Sequence, residues 1–493
     1  MTSAEPIIDL PPRVANQRPS FYDLGMIRPG RKTVVVAAGQ IQSRLMNEAP
    51  ATLESIGEMI REAARQAAQL LVLPECAYPA YLLGSVESYR TGDHLSSRQF
   101  VEWLAEQAAR HQLHIVSGYV EDTGEALFNA ALLIGPDGRT LGQARKRFLW
   151  HADQDWFRPG EEIAAIPTEL GRIGIIICAE ARVPEIIATL AADGAELIAM
   201  PTCWINTSRQ PGEYRNPQPE FLIAARAREF GVPFVCADKC GLEMTMGYVG
   251  QSCVAKPETG VVAMAPSVGE SLVVAEIEIG PPAPVWIPPA RRSRLLDPAP
   301  AISPGRTTRC ELTVAAVSTE LANARLNGQM GENLFKPLAE QGTGLMIVNL
   351  PHEATAERAS MFARAFDMEA IGFPVRPNVF TAAGARVGTI AGQWLRSFAT
   401  GRALALEGAE VLVYFDAADD LAMLRTRAVE NRVFVVGVDA AASTIVGPDG
   451  TVLARGTAEA PAIARVDLAD ASDKTVAPRT DIFAQRPVKA FRF

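Results

Sequence analysis

The chain of 493 residues is too long for one ordinary hydrophobic core, and its 48% hydrophobic content can fill two domains. A formal net charge of −9, without a basic stripe, argues against nucleic acid as the main partner and leaves a small molecule as the expected one. The N-terminus lacks the pattern of a leader, and no run approaches the roughly 20 apolar residues of a membrane span. Seven scattered cysteines favour a reduced compartment over a disulfide framework, and they lack paired metal-ligand spacing. We therefore expect a soluble, cytoplasmic protein with no membrane partner.

The first 150 residues alternate β-rich runs with helical spacing. Residues 1–31 have a mixed polar composition, and we expect an N-terminal arm that is either packed on the fold or disordered. The runs TVVVAAGQ, LLVLPE, HIVSGYV and NAALLIG are typical of strands, and the PDG at Pro136–Gly138 predicts a tight turn. From Leu53 to Leu70, five apolar residues at helical intervals predict a helix with one buried face: Ile56, Met59, Ile60, Ala63 and Ala67. This alternation predicts an α/β fold.

Three chemically useful residues lie at the ends of three predicted strands. Glu75 ends LLVLPE, Lys146 follows GQAR, and Cys178 ends GRIGIIIC at the start of a helix. A cysteine nucleophile needs a base or a positive field, because a free thiol is mostly protonated at neutral pH. Glu75 is the candidate base, while the Lys146 ammonium and the peptide N–H of Ala179 are candidate donors to an oxyanion. Each residue alone is a weak signal, since a cysteine after a strand is usually a small core hydrophobe.

The chain repeats itself across a proline-rich stretch, residues 280–306, which we interpret as a linker. GRIGIIICAEARVPEIIATLAADGAELIAM before it resembles ARVGTIAGQWLRSFATGRALALEGAEVLVY after it, and each predicts strand, helix, strand. Arg226 and Glu229 correspond to Arg427 and Glu430. We expect these residues to form structural pairs, because they recur in a copy that has no nucleophile.

The second copy, residues 307–493, lacks counterparts of the candidate nucleophile and of the candidate lysine. Aligned on their shared glycines, it has Gly392 where the first copy has Cys178. Its stretch from His352 to Asn378 is too short for a counterpart of the lysine segment. We therefore interpret it as a structural partner of a catalytic domain at residues 32–279.

Four ordered motifs resemble those of a known family. LPECAYPAY, RKRFLWHADQDWFRPG, GIIICAEARVPE and RAREFGVPFV resemble the nitrilase superfamily of carbon–nitrogen hydrolases over residues 32–279, and more weakly the second copy does so as far as residues 486–487. The resemblance implies a four-layer α-β-β-α sandwich, here duplicated in tandem, with no metal and no organic cofactor. Family members commonly pair through sandwich faces. The second copy would occupy that face as an intrachain pseudo-dimer, with further homo-oligomerisation left open.

The resemblance also implies roles for individual residues. Glu75 would be the general base, Lys146 would stabilise the tetrahedral intermediate, and Cys178 would be the acylated nucleophile. The family often carries a further glutamate after the lysine, where this chain offers only Asp153 and Asp155. Which aspartate substitutes for it, if either does, stays open.

Residues around the nucleophile bear on the substrate. The Arg182-Val-Pro-Glu185 segment favours a small amide or N-carbamoyl compound, as in amidase and carbamoylase branches, while Glu180 keeps a nitrile, and hence a nitrilase, open. Arg182 either meets a substrate carboxylate or, as we prefer, pairs with Glu180 or Glu185. Aromatic side chains near the catalytic positions are candidate pocket walls: Tyr81, Trp150 and Trp204.

A non-catalytic scaffold that has kept the sandwich is the alternative from another functional class. The intact Glu75, Lys146 and Cys178 argue against it, and the missing glutamate argues modestly for it. Thiol reactivity discriminates between the two, because an activated Cys178 should alkylate at a pH well below about 8.5.

Overall fold

The computed structural model describes residues 31–298, 310–326, 331–349, 363–365, 367–372 and 378–493. Nearly all of the expected N-terminal arm, and most of the stretch from residue 352 to residue 378, lie outside these ranges. Within them, none of the helices has the length and apolar character that crossing a membrane requires.

Two sheets with helices on their outer faces form the first unit. Its strands are β1 (Lys32–Gln42), β2 (Leu70–Val72), β3 (His114–Asp122), β4 (Leu127–Ile134), β5 (Thr140–Arg145), β6 (Ile166–Pro167), β7 (Arg172–Ile175), β8 (Leu197–Pro201), β9 (Phe234–Ala237), β10 (Lys239–Glu243), β11 (Met246–Val249), β12 (Cys253–Lys256), β13 (Gly260–Met264) and β14 (Ser271–Ile279). Its helices are α1 (Ala49–Arg65), α2 (Val86–Thr91), α3 (Ser97–His111), α4 (Asp153–Trp156), α5 (Pro184–Ala192) and α6 (Ile223–Phe230). Short turns of 3₁₀ helix lie at Met46–Glu48 and Cys178–Arg182, and a π turn lies at Gln218–Leu222.

The four layers of this unit follow from the two faces of each sheet. One sheet runs β11-β10-β1-β2-β3-β4-β5 with β14 antiparallel along β1, and the other runs β13-β12-β9-β8-β7-β6. Apolar side chains such as Val36, Val72 and Ile175 fill the space between the sheets, because alternate strand residues point to opposite faces. Helices α1 and α3 cover the outer face of the first sheet, and α5 and α6 cover that of the second.

The second unit repeats this arrangement. Its strands are β15 (Glu311–Val317), β16 (Thr343–Val348), β17 (Glu369–Ile371), β18 (Phe380–Ala382), β19 (Ala385–Ala391), β20 (Val411–Phe415), β21 (Phe434–Val438), β22 (Ser443–Val446), β23 (Val452–Gly456), β24 (Ala462–Asp467), β25 (Thr475–Ala477) and β26 (Thr480–Asp481). The remaining helices are α7 (Pro289–Leu295), α8 (Thr319–Leu326), α9 (Gly331–Glu340), α10 (Phe398–Leu406), α11 (Leu421–Asn431) and α12 (Leu468–Ser472), with 3₁₀ turns at Gly392–Trp394 and Val488–Ala490.

The predicted sandwich and its tandem duplication are confirmed. Sheets β17-β16-β15-β24 and β18-β19-β20-β21-β22-β23 face each other across an apolar core. The succession β19, α10, β20 repeats β7, α5, β8, as the repeated sequence predicts. The two PDG turns also correspond, since Gly138 and Gly450 have φ of 81° and 84°, a conformation that glycine adopts without steric cost.

The two units pack through the helix faces that each places outside its second sheet. Side chains of α5 and α6 share one continuous core with those of α10 and α11, and the rings of Phe230 and Phe398 meet there at 6.2 Å. The two sandwiches are therefore stacked, and the order of the layers is α-β-β-α followed by α-β-β-α. Burying two apolar helix faces against each other is the favourable term in this contact.

Several charged residues lie within that contact, and we call four of them the interface quartet: Arg226, Glu229, Arg427 and Glu430. Each arginine pairs with the glutamate of its own helix, at 2.7 Å in α6 and 2.5 Å in α11. Each also pairs across the contact, with Arg226 to Glu430 at 2.5 Å and Arg427 to Glu229 at 2.6 Å. The predicted structural role of these pairs is therefore confirmed, and the pairing across the units was not foreseen.

Two predicted boundaries differ in the structure. Helix α1 ends at Arg65 rather than Leu70, because Leu70 pairs with Val36 as the first residue of β2 and Ala67 turns the chain with a φ of 56°. The proline-rich stretch 280–306 contains α7, whose Leu295 is fully buried. Proline is tolerated in the first turn of a helix. Pro288 and Pro289, which contributed to the linker prediction, therefore lie at the start of α7.

Candidate active site

The fold brings the three predicted catalytic residues to one place. Glu75 follows β2, Lys146 follows β5, and Cys178 opens the 3₁₀ turn that follows β7. All three side chains are buried. Cys178 has a φ of 49°, an uncommon value for a residue with a side chain, and such backbone strain often accompanies functional sites.

Lys146 is held between two carboxylates. Its Nζ lies 2.6 Å from Glu75 Oε1 and 2.6 Å from Asp153 Oδ2. Asn129 donates from Nδ2 to the same two groups, at 2.6 Å to Glu75 Oε1 and 3.1 Å to Asp153 Oδ1. Glu75 Oε2, by contrast, is buried and has no hydrogen-bond partner among the described residues. One oxygen of Glu75 is thus fixed by the network and the other is left to accept a proton.

The structure separates the two candidate auxiliary aspartates. Asp153 is buried beside Lys146 and also accepts from the peptide N–H of Trp150 at 2.7 Å. Asp155 is half exposed and pairs with Arg479 of the second unit at 2.8 Å. Only Asp153 therefore lies where it can act on the lysine.

Electrostatics sets the protonation of the site. Burial and the Asp153 charge raise the pKa of Glu75 despite the opposing effect of Lys146. Burial alone would lower the pKa of Lys146, but Asp153 and Glu75 raise it well above its ordinary value, so the ammonium stays charged. Burial and Glu75 also raise the pKa of the Cys178 thiol, and Lys146 offsets them only in part. In the resting site these effects favour the protonated form of the thiol.

A cavity of about 260 Å³ opens onto the thiol. Cys178 and Ala179 form part of its wall, while Glu75 and Lys146 are not among the lining residues. Further lining residues come from several loops of the first unit: Trp150, His151, Arg182, Cys203, Trp204, Ile205, Thr207, Asn216 and Gln218. The second unit contributes Val476, Ala477 and Pro478.

Glu180 fixes the turn that carries the nucleophile. It accepts from Arg147 at the peptide N–H (2.7 Å), Nε (2.8 Å) and Nη2 (2.6 Å), and from the peptide N–H of Ile177 at 2.8 Å. The Gln218 amide, in the orientation that satisfies both neighbours, donates to the Cys178 carbonyl at 2.9 Å and accepts from Trp204 Nε1 at 3.2 Å. These contacts hold the backbone of Cys178 from both sides.

Arg182 is free of the ion pairs that we preferred for it. Glu180 pairs with Arg147, and Glu185 pairs with Arg402 and Arg486 at 3.2 Å each. Within the described part of the chain no acidic side chain pairs with Arg182, whose Nε is buried without a hydrogen-bond partner. Burial lowers the pKa of Arg182 to about 10, so the guanidinium is still cationic at neutral pH.

The candidate aromatic walls divide into two groups. Trp150 and Trp204 line the cavity, and the Trp150 ring lies 5.3 Å from the Arg182 guanidinium carbon. Tyr81 is not a lining residue, since it is buried in an apolar cluster with Cys76 and Tyr248. Burial, with the charges of Asp153 and Glu75, raises the pKa of Tyr81.

Sequence reasoning missed Asn129 and the contribution of the second unit to the cavity. Asn129 is fully buried within β4, and a polar residue disfavoured in strands at such a place is a signal that could have been used. Residues 476–478 gave no comparable signal. They reach the cavity only through the packing of the two units.

Comparison with known proteins identifies the family of the chain. The family model for carbon-nitrogen hydrolases matches residues 35–280 and 356–474. The chain is 31% identical over 225 residues to a nitrilase from Pyrococcus abyssi, covering 45% of this chain and 81% of that one, and 29% identical over 233 residues to an omega-amidase from Danio rerio, covering 45% and 80%. A solved amidase structure from Nesterenkonia sp. is 23% identical with a TM-score of 0.44, over 50% of this chain and 90% of that one. The chain belongs to the carbon-nitrogen hydrolase family of the nitrilase superfamily, whose members are hydrolases of carbon–nitrogen bonds other than peptide bonds.

Proposed function

We propose that the protein hydrolyses a small amide or N-carbamoyl compound through a cysteine acyl-enzyme, with release of ammonia or an amine. The observation that carries this proposal is Lys146 held between Glu75 and Asp153 beside the buried Cys178, which itself opens onto a cavity. Such a site supplies a base, a cation and a nucleophile in one dry place, where electrostatic effects are strong.

The proposed reaction has two halves. Glu75 Oε2 takes the thiol proton as sulfur attacks the carbonyl carbon, and the oxyanion accepts hydrogen bonds from Lys146 Nζ and the Ala179 peptide N–H. The carbon–nitrogen bond then breaks, and the departing amine leaves with the proton held by Glu75. A water molecule gives its proton to Glu75, attacks the thioester and releases the acid, which restores the thiol. Asp153 keeps Lys146 in position throughout.

Arg182 supports a narrower substrate class, an amide whose acyl part carries a carboxylate. Its guanidinium lines the same cavity as Cys178, and its Nε has no hydrogen-bond partner among the described residues, although leaving a buried donor unpaired is costly. The cation of Arg432 also lowers its pKa, so a bound anion would relieve both effects.

Nitrile hydrolysis is the second candidate, favoured by the 31% identity to a nitrilase. The same thiol would attack the nitrile carbon, and two water molecules would be consumed before the acid is released with ammonia. To separate the candidates, we would follow ammonia release from paired substrates of one acyl skeleton: the primary amide, the N-carbamoyl compound and the nitrile. Turnover of the nitrile while the amide and the N-carbamoyl compound stay inert would overturn the preferred candidate, and no turnover of any of the three would remove both.

The domain division follows from the same reasoning. We infer that residues 32–279 carry the chemistry and that residues 307–493 support it. The Cβ of any side chain at Gly392, the counterpart of Cys178, would clash with the carbonyl oxygens of Phe415 and Asp416. No nucleophile fits there without a backbone shift.

Glu75→Gln is expected to lower kcat/KM by about 100-fold or more, because glutamine keeps the shape of the group but cannot take the thiol proton. In the wild type the activity should fall as pH falls, since Glu75 acts as a base only when ionised. Because its pKa is raised, the acidic limb of the pH–rate profile should lie above the ordinary glutamate value of 4.5. A limb at or below that value would contradict the assignment.

Arg182→Ala is expected to raise KM for a carboxylate-bearing amide by about 10- to 100-fold, the effect of losing a hydrogen-bonded charge partner. The neutral amide of equal length should be affected far less. Steady-state kinetics of both substrates on wild type, Arg182→Ala and the charge-keeping Arg182→Lys would measure this. Equal losses for the charged and neutral amides would show that Arg182 has a structural role only.

A further inference from the structure

We propose that the hairpin β25-β26 of the second unit, residues 475–481, is a specificity wall of the active-site cavity in the first unit. We call it the cavity hairpin. Its residues Val476, Ala477 and Pro478 line the same cavity as Cys178. The inference rests on the proposed function of Cys178 as the reacting thiol, and it assigns to the copy without a nucleophile a role in substrate selection.

The hairpin is anchored at its base in the second unit. Its strands pair antiparallel at Thr475 with Asp481 and at Ala477 with Thr480. The preceding Lys474 is buried, and its Nζ donates to three carbonyl oxygens of the second unit, those of Asn431 (3.1 Å), Arg432 (2.9 Å) and Ala471 (2.7 Å). Three contacts from one buried amino group to backbone carbonyls fix the direction in which the hairpin leaves its own unit.

The tip of the hairpin is bound to the first unit. The peptide N–H of His151 donates to Thr480 Oγ1 at 2.8 Å, and Gln154 Nε2 donates to the Arg479 carbonyl at 2.7 Å. The Arg479 guanidinium pairs with Asp155 at 2.8 Å and 3.1 Å in bidentate geometry. The hairpin is therefore fixed at both ends. Its side chains can limit the size of a ligand only if the backbone that carries them is fixed in this way.

The segment of the first unit that the hairpin contacts, residues 150–155, also carries residues of the proposed active site. That segment carries Trp150 on the cavity wall and Asp153 against Lys146. The hairpin presents only apolar side chains to the cavity, whereas the charged group on the wall is Arg182. This arrangement fits a substrate with its anionic end at Arg182 and an apolar portion against Val476, and it disfavours bulkier or branched groups at that portion.

Size-graded alkylation of Cys178 tests the wall without requiring turnover. The full chain would be treated with iodoacetamide or with N-benzyl-2-iodoacetamide, each of which forms a carbon–sulfur bond as iodide leaves and the thiol proton is lost. Mass spectrometry of the Cys178 peptide gives the two rates, and their ratio, large reagent over small, is the measured quantity.

The variants make the test specific. Val476→Ala should raise the ratio and Val476→Phe should lower it, each by about tenfold, the scale on which a hydrophobic pocket discriminates a few methyl groups. Thr475→Phe is the matched control, because Thr475 is exposed beside the cavity and does not line it, and its ratio should match that of the wild type. Arg479→Ala, at an exposed position, should raise the ratio by releasing the tip without disturbing the core.

The outcomes separate this inference from the proposed function. Unchanged ratios in both Val476 variants, or an equal change in Thr475→Phe, would overturn the specificity wall whatever the enzyme hydrolyses. If no substrate is turned over but the alkylation ratio still rises in Val476→Ala and falls in Val476→Phe, the proposed reaction is wrong and the specificity wall is supported.

Discussion

Cys178→Ala is expected to lower kcat by at least about 10⁴-fold for any substrate that the wild type hydrolyses, since removing the nucleophile of a catalytic unit costs this much or more. Cys178→Ser should lose nearly as much, because the buried carboxylate that suffices for a thiol is a weak base for an alcohol. Both substitutes carry a Cβ and therefore meet the same φ of 49°. The loss would thus report chemistry rather than backbone strain.

Ammonia release and intact mass would measure this together. Wild type mixed with a slow substrate should gain the mass of one acyl group, and Cys178→Ala should gain none. Cys310→Ser, which changes a cysteine of the second unit that does not line the cavity, should behave as wild type in both assays. An acyl adduct on Cys178→Ala would place the nucleophile elsewhere.

Glu75, Lys146 and Cys178 could be identified from the sequence because each lies at the end of a predicted strand. Glu75 follows the buried strand β2 and Lys146 follows the partly exposed strand β5, and these two strands run in the same direction in one sheet. The carboxyl ends of such strands lie at the same edge of the sheet, so Glu75 and Lys146 are expected on the same side of it. The repeat was equally visible, because both copies must bury the same faces and so keep the same apolar pattern.

Features that depend on contact between the units could not be predicted in this way. Asp153 and Asp155 are two residues apart on one short helix, and in the structure Asp153 pairs with Lys146 inside the first unit while Asp155 pairs with Arg479 of the second unit. Arg182 has no acidic partner within the described ranges because Arg402 and Arg486 of the second unit occupy Glu185. Residue spacing within one copy holds no information about a partner surface.

The second copy has Gly392 where the first copy has Cys178, yet its residues 476–478 line the cavity beside that cysteine. The close approach of Phe415 and Asp416 excludes a side chain at Gly392, while its helices α10 and α11 still complete the core of the first unit. The constraint on this copy is therefore packing rather than chemistry. Its charged residues in the contact should then have a larger effect on stability than any other polar group of the second unit.

Arg427→Leu is expected to lower the free energy of unfolding by about 3–5 kcal/mol, because it leaves an uncompensated buried carboxylate in the interface quartet. Burial alone would lower the pKa of Arg427, but Glu229 and Glu430 raise it above its ordinary value, and both partners are buried with it. Two cations and two anions balance in the wild type. The single variant removes one cation from that balance.

Denaturation by urea, followed by tryptophan fluorescence, would measure the loss. The double variant Arg427→Leu with Glu229→Leu removes one charge of each sign, so it should regain part of the stability that Arg427→Leu loses. Arg98→Ala, which breaks an exposed pair with Glu102 on α3, is the surface control and should change nothing measurable. Stability of Arg427→Leu equal to that of Arg98→Ala would mean that apolar packing alone holds the two units together, and that the quartet is neutral to their association.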